Sequence, residues 1–185
     1  QPILWFSPDP RWLLLPGELH VSRRLARKLR ARHFEVTLDR AFDRVIRACA
    51  NVRRAGAHGT WITPAMLAAY EELFALGFAH SAEAWQAGEL VGGVYGVSLG
   101  GAFFGESMFT LRPDASKIAF ATLVRQLADQ GFDFVDCQVR TPHLERLGAR
   151  GWPRAVFLEL LGASLERETR RGRWQLAAGP VMGSR

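Results

Sequence analysis

Residues 79–109 read AHSAEAWQAGELVGGVYGVSLGGAFFGESMF, and apolar side chains recur there at about every second position. This period is typical of β-strands and predicts strands over 79–85, 90–98 and 102–109. Residues 86–89 and the pair Gly100-Gly101 provide the two connections, the second as a tight hairpin turn. The sequence therefore predicts an antiparallel meander of three strands.

Helical periodicity precedes the meander. Ser22 is a good N-cap for a short basic amphipathic helix, and a second helix follows around residues 42–49. Thr63 followed by Pro64 predicts the start of a third helix, which Gly77 ends. Its Met and aromatic stripe, which includes Tyr70, is interpreted as core packing.

After the meander, the sequence predicts a helix over 116–130, a strand over 132–139 and two further helices that begin at Thr141-Pro142 and Pro153. Residues 1–20 lack a clear period and are expected to be irregular, and residues 170–185 are expected to be poorly ordered.

We expect an α+β fold with helices on the faces of a mixed sheet. Its predicted parts are a basic N-terminal region (1–60), a catalytic domain (61–169) and a C-terminal tail (170–185).

Composition narrows the function classes. The chain has 185 residues, of which 48% are hydrophobic, and no uncharged run reaches the ~20 residues of a membrane span. Two cysteines are too few for a disulfide framework, and the histidines lack metal-ligand spacing, so neither a metal nor another cofactor is expected. These features predict a cytoplasmic globular protein.

Basic residues are concentrated in the first third of the chain. Residues 1–60 hold 12 Lys and Arg against 5 Asp and Glu, whereas the remainder holds 12 against 13. The basic helix has no acidic residue between Glu18 and Glu35, which favours phosphate contact over a merely solvated face. The candidate phosphate-binding residues are Arg23, Arg24, Arg27, Lys28 and Arg30.

Carboxylates in two predicted strands indicate a reactive cleft. Strict alternation over 132–139 puts Asp136 and Gln138 on one face and Cys137 on the other. A buried carboxylate requires either a hydrogen-bond network or a solvent-reached cleft, so Asp136 is a candidate for proton handling. Glu106 repeats the pattern in its own strand. Neither strand carries Lys or Arg, which predicts a cation-attracting pocket. A Cys137–His143 nucleophile pair is also conceivable, but the alternation places Cys137 on the face opposite Asp136, which disfavours it.

Several motifs in one order resemble the bacterial leucyl/phenylalanyl-tRNA–protein transferase family. The resemblance covers residues 2–161 and implies an N-acetyltransferase (GNAT)-like fold, with a further N-terminal segment before Gln1 that supplies a second aromatic for the adenine site. No pyrophosphate loop precedes helix 116–130, so coenzyme A is not expected. The motifs are WFSPDPR at 5–11, GTWIT at 59–63, His80-Ser81 with Trp85, ELVGGVYGV at 89–97, GESMF at 105–109, Ala115-Ser116-Lys117 and Asp136-Cys137-Gln138.

The resemblance implies transfer of Leu, Phe or Met from aminoacyl-tRNA to the N-terminal Arg or Lys of a protein, which marks that protein for N-end rule degradation. It assigns catalysis to Asp136 and Gln138, with Glu106 holding the incoming amine. Trp85 would stack on the terminal adenine. The remaining substrate-binding positions are Val94, Phe103, Ser107, Phe120 and Leu123.

Two other functions fit parts of this pattern. A tRNA-binding module without catalysis would retain the basic helix and the fold but would not turn over substrate. A peptidoglycan-type aminoacyl-tRNA-dependent transferase would use a cell-wall precursor amine, but those enzymes usually duplicate the domain.

Overall fold

The computed structural model describes residues 6–52 and 61–177, which hold seven strands and six α-helices. The strands are β1 (Arg11–Leu14), β2 (Glu35–Leu38), β3 (Ala79–Gln86), β4 (Glu89–Leu99), β5 (Ala102–Thr110), β6 (Phe134–Gln138) and β7 (Arg150–Trp152). The helices are α1 (Arg23–Arg30), α2 (Phe42–Asn51), α3 (Pro64–Ala75), α4 (Ala115–Asp129), α5 (Pro142–Arg146) and α6 (Arg154–Leu165).

All seven strands form one mixed sheet in the order β2-β3-β4-β5-β6-β1-β7. Every neighbouring pair is antiparallel except β5 and β6, which run parallel. The predicted meander over β3, β4 and β5 is confirmed. Positive φ angles at Ala87 and Gly88 allow the tight turn between its first two strands. Strands from the basic N-terminal region and from the predicted catalytic domain thus share one sheet.

Helices cover both faces of the sheet. Helix α4 packs against β3 and β4 and buries Phe120, Leu123 and Leu127 in one core cluster. Helices α2 and α3 lie against the same strands from the other side, where Phe42 and Tyr95 belong to a second cluster. None of the described helices combines the length and the apolar composition that a bilayer crossing demands.

The predicted helix starts are confirmed. The Ser22 hydroxyl accepts a hydrogen bond from the backbone N–H of Leu25, and Thr63 does the same for Met66, with Pro64 as the first helical residue of α3. Gly77 follows α3 with φ +81°, a left-handed conformation that favours glycine.

The expectation that residues 1–20 are irregular is wrong for residues 11–14. These residues form β1, which lies between β6 and β7 and pairs Leu13 with Asp136. Leu13 and Leu14 are both fully buried, so β1 is covered on both faces and shows no alternation of apolar and polar side chains.

The expected disorder of the tail is wrong for residues 170–177. Trp174 is buried, and its ring stacks on His80 at 3.6 Å between centroids. Its backbone N–H donates to the carboxylate of Asp39 at 2.7 Å, while His80 Nδ1 lies 2.8 Å from the same oxygen. This segment therefore ties the chain's end to the sheet; the rest of the tail, 178–185, lies outside the described residues.

Replacement of Trp174 by Ala is expected to lower the free energy of unfolding by about 3–5 kcal/mol, the usual cost of deleting a buried aromatic side chain. Urea denaturation followed by circular dichroism measures this change. The exposed Glu168 provides a matched control, and Glu168→Ala is expected to stay within about 0.5 kcal/mol of the parent. Equal stability of the two variants would contradict the packing role of Trp174.

Candidate active site

A cleft opens where the parallel strands β5 and β6 separate. They pair only from Ala102 opposite Phe134 to Phe104 opposite Asp136, and beyond this point β5 continues beside β4 alone. The resulting cavity has a volume of about 440 Å³. Its lining comprises Val94, Gly105, Glu106, Ser107, Met108, Phe120, Cys137, Gln138, Val139, Thr141, His143 and Leu144.

A β-bulge places Glu106 at this cleft. Strand β4 pairs Tyr95 with Ser107 and Gly96 with Gly105, so Glu106 is an extra residue without a partner in the register. Such bulges redirect a side chain and are frequent beside active sites. Glu106 therefore leaves the regular alternation of β5.

Asp136 is fully buried and is held by three donors. Arg11 of β1 donates from Nε to Oδ1 at 2.9 Å and to Oδ2 at 3.2 Å, and from Nη2 to Oδ2 at 2.7 Å. The backbone N–H of Gln138 donates to Oδ1 at 2.9 Å. The predicted cation-attracting pocket is inferred from the lack of Lys and Arg in β5 and β6, and the cation that binds Asp136 comes instead from β1, 125 residues away in the sequence.

Gln138 ends β6 in a left-handed conformation with φ 57°. This conformation breaks the predicted alternation: Cys137 and Gln138 both line the cleft, whereas Asp136 lies beneath it. The two predicted catalytic residues are in contact, but the hydrogen bond joins the carboxylate to the backbone of Gln138 rather than to its side-chain amide.

The carboxyl group of Glu106 has a pKa above its ordinary value. Its pKa is raised to about 7, mainly by burial and also by the negative charge of Asp136, while a hydrogen bond from Tyr70 and the charge of Arg11 act in the opposite direction. Burial and the neighbouring Glu106 also raise the pKa of Tyr70. At neutral pH this carboxyl group can therefore both accept and release a proton.

Sequence reasoning missed the role of Tyr70. Its ring is buried and contacts Tyr95 edge-on at 5.3 Å, as expected for a packing residue of α3. Its hydroxyl group, however, reaches the carboxylate of Glu106. A phenol in an apolar helix stripe is the only sequence signal for such a contact.

Cys137 and His143 both line the cleft, but a nucleophile pair is not supported. Burial and the charge of Asp136 raise the pKa of Cys137 to about 12, so its thiol stays protonated near neutral pH. Burial, Lys117 and Arg146 lower the pKa of His143. Within residues 6–52 and 61–177, no three His, Cys, Asp or Glu side chains are grouped so that they could hold a metal ion.

The predicted substrate-binding residues other than Trp85 separate into two groups. Val94, Phe120 and Ser107 line the cleft. Phe103 and Leu123 are fully buried in the same core cluster as Val94 and Phe120, beneath the surface of the cavity.

Trp85 is not brought to the cleft. It is buried in the cluster on the other face of the sheet, and the guanidinium groups of Arg40 and Arg44 lie 5.0 and 5.2 Å from its ring. The Trp85 indole N–H donates to Thr37 at 2.8 Å. A base-stacking role requires an accessible ring. Trp61 is 41% exposed, and its ring centroid lies 6.3 Å from that of Tyr70.

The cations of α1 divide between two faces. Arg24 and Lys28 bind Asp114 at 3.1 and 2.8 Å, so the expectation that this helix has no acidic partner is wrong for these two residues. Lys28 and Lys117 hold the pKa of Asp114 well below its usual range. Among the residues that the structure describes, the exposed Arg23, Arg27 and Arg30 form no ion pair with a carboxylate. These three cations remain free for an external anion.

Comparisons with known proteins agree with the motifs in the sequence. A family model described as leucyl/phenylalanyl-tRNA protein transferase matches residues 13–162. The leucyl/phenylalanyl-tRNA–protein transferase of Anaeromyxobacter sp. (strain Fw109-5) is 60% identical over 178 residues, which cover 96% of this chain and 76% of that protein. The protein of the same name from Myxococcus xanthus (strain DK1622) is 56% identical, with 94% and 74% covered. A functionally unknown conserved protein from Staphylococcus epidermidis aligns in structure with a TM-score of 0.40 and 8% identity, covering 72% of this chain and 65% of that one.

Proposed function

The chain belongs to the leucyl/phenylalanyl-tRNA–protein transferase family, and we propose that it moves Leu, Phe or Met from aminoacyl-tRNA to an N-terminal Arg or Lys of a protein. Members of this family are aminoacyl-tRNA-dependent acyltransferases that act on proteins. The observation that carries the finer proposal is the cleft where Glu106, with a pKa of about 7, faces Gln138. The new N-terminal residue would mark its protein for N-end rule degradation.

The apolar part of the cleft suits the transferred amino acid. Val94, Met108 and Phe120 line it, and Phe103 and Leu123 support them from beneath. Apolar contact distinguishes side chains that differ by one methylene by only about 1–3 kcal/mol, which supports a relaxed choice among Leu, Phe and Met. Polar side chains would lose their hydration there without gaining partners.

Glu106 is suited to activate the incoming amine. An α-ammonium group has a pKa of about 7.7–8.0, close enough to that of Glu106 for it to give up one proton. The freed amine attacks the ester carbonyl, so a C–N bond forms as the C–O bond to the terminal ribose breaks. The ribose oxygen takes the second proton of the attacking nitrogen. The ester is already activated, and placement supplies the remaining help.

Gln138 and Asp136 have different parts in this mechanism. Gln138 lines the cleft, where its side-chain amide can orient the amine or the ester carbonyl. Asp136 is a positioning residue, because it holds the backbone of Gln138 in the left-handed conformation while Arg11 neutralises its charge. The parallel strands that separate at the cleft also support a GNAT-like catalytic domain.

Terminal-adenine stacking is the other expected contact with the donor. Because Arg40 and Arg44 cover Trp85, we assign this stacking to Trp61, whose exposed ring lies beside Tyr70. Base–aromatic stacking of this kind contributes about 1–3 kcal/mol per base.

The direct test uses a peptide that begins with Arg and tRNA charged with Phe. Mass spectrometry after incubation is expected to show the peptide with one added phenylalanine residue. The same peptide with an N-terminal acetyl group is the control and should stay unmodified, because it has no free amine. Binding of the tRNA without any added mass would favour a non-catalytic module.

Removal of Arg23, Arg27 and Arg30 together is expected to weaken tRNA binding uniformly across tRNA sequences. Each phosphate contact that is lost should reduce the slope of log affinity against log salt by about 1, because fewer counterions are released. Filter binding between low and moderate salt measures this slope. Arg125→Ala removes an exposed cation from α4 as the control, and an equal effect of both changes would contradict a specific contact by α1.

A further inference from the structure

A second, smaller cavity shares His143 with the cleft as a lining residue. It has a volume of about 160 Å³, and its lining includes Arg24, Asp114, Lys117, His143 and Arg146. Water occupies about 30 Å³ per molecule, so the cavity holds about five waters, enough for one phosphate group but too little for a nucleoside. Its size thus favours a small ligand or a single group of a larger one.

Positive charge is in excess in this second cavity. Asp114 is its only carboxylate among the lining residues, and it is already bound by Arg24, Lys28 and Lys117. Lys28 is not among the lining residues, so the cations of the cavity are Arg24, Lys117 and Arg146, and Arg146 has no carboxylate partner among the described residues. One negative charge therefore faces three positive charges, and such an excess attracts an anion.

The cations remain accessible to a ligand. The side chains of Arg24 and Lys117 are 68% and 39% exposed despite their contact with Asp114. The N-terminal ends of two helices also line the cavity, with Ser22 and Arg24 from α1 and Asp114 and Lys117 from α4. The positive ends of the two helix dipoles add to the attraction of a negative group.

His143 links the second cavity to the active-site cleft, since its side chain lines both. Its Nε2 atom is buried and has no hydrogen-bond partner in residues 6–52 and 61–177. A group bound in the second cavity is therefore close to an ester bound in the cleft, because the same residue borders both. In a charged tRNA, the phosphate of the terminal nucleotide lies one sugar away from that ester.

We propose that this cavity binds the 5′-phosphate of the terminal, aminoacylated nucleotide of the donor tRNA. The inference rests on the proposed function, because it takes the aminoacyl ester to lie in the cleft. Arg146, Lys117 and Arg24 hold the phosphate oxygens, and the phosphate fixes the ribose relative to Glu106 and Gln138. Arg23, Arg27 and Arg30 on the outer face of α1 are left for phosphates farther from the ester.

Binding is tested first with inorganic phosphate, followed by NMR of the His143 ring. Phosphate is expected to raise the pKa of His143 in the parent protein, because it offsets the positive charges that lower it. Chloride at the same ionic strength should have no such effect. In Arg146→Gln the shift should be lost, whereas the control Arg125→Gln should keep it. No response to millimolar phosphate in the parent would overturn the site.

The source of the phosphate is tested with two minimal donors, phenylalanyl-adenosine and phenylalanyl-adenosine 5′-phosphate. The parent is expected to use the phosphorylated donor with a kcat/KM about 10- to 100-fold higher, the range for a hydrogen bond to a charged group. Arg146→Gln should reduce this ratio towards 1. A parent ratio near 1 with phosphate still bound would show a free-phosphate site and overturn the assignment to tRNA.

A third assay separates this inference from the proposed function. Each protein is also tested with full-length phenylalanyl-tRNA. Failure of the parent to transfer Phe from the tRNA would contradict the function itself. Normal transfer from tRNA with no NMR response and no donor preference would contradict only the phosphate site.

Discussion

Asp136→Ala is expected to lower kcat/KM for transfer by roughly 10²-fold or more, the loss that a small misplacement of a catalytic group can cause. The reason is local: without the carboxylate, nothing holds the left-handed backbone of Gln138, and its amide leaves the cleft. The loss should fall on kcat, while KM for the charged tRNA stays within about twofold, because Asp136 does not line the cleft.

The same change is expected to cost about 3–5 kcal/mol of the free energy of unfolding, because Arg11 would keep a largely buried charge without a partner. The double variant Arg11→Gln/Asp136→Asn removes both charges and should recover most of this stability. Its activity should stay low, because a neutral amide holds the backbone of Gln138 less strongly than a carboxylate does.

Asp133 provides the control. It precedes the same strand, and its ion pair with Arg167 is about 40% exposed on both sides, so Asp133→Ala should cost about 1 kcal/mol and leave kcat unchanged. Chemical denaturation and peptide-transfer kinetics measure both quantities. An Asp136→Ala protein that folds and transfers at the parent rate would contradict the assigned role.

Local periodicity explains which parts of the fold could be predicted. The meander and the starts of α1 and α3 depend on residues close in sequence, and all were identified. Strand β1 could not be predicted, because it is buried on both faces and its partners β6 and β7 lie far along the chain.

The site shows the same division. Glu106, Asp136 and Gln138 could be selected because a polar group in an apolar strand needs an explanation. The contacts that tune them, from Arg11 and Tyr70, come from other elements and leave no mark in the local pattern. Likewise, only the folded chain shows that Arg40 and Arg44 cover Trp85.

Glu106→Gln is expected to remove the dependence of transfer on one ionisation near neutral pH. Because the carboxylate form must accept the proton, the parent loses activity as the pH falls below about 7. The incoming amine titrates in the same range, but it affects both proteins equally. The ratio of parent to variant kcat/KM should therefore rise with an apparent pKa near 7 and level off at roughly 10²-fold or more.

Tyr70→Phe tests whether the hydroxyl group tunes this ionisation. The hydrogen bond from Tyr70 lowers the pKa of Glu106, so its removal should move the rising limb of the profile to higher pH. Rates from pH 5.5 to 9 with an unchanged peptide and charged tRNA measure both variants. A ratio of parent to Glu106→Gln that does not change with pH would rule out Glu106 as the proton acceptor.

The Glu106→Gln change should raise the free energy of unfolding even though it lowers activity. The folded-state pKa of Glu106 lies above its ordinary value of 4.5, so the neutral form favours folding below pH 4.5 and this contribution is lost as the pH rises to about 7. Gln cannot ionise, so the variant keeps this stabilising contribution at every pH. Above pH 7, the Glu106→Gln protein should therefore be more stable than the parent by on the order of 2 kcal/mol, with the difference shrinking towards pH 4.5. Urea denaturation at pH 5 and pH 8 measures this, and a variant less stable than the parent at pH 8 would show that the carboxylate is not strained by burial.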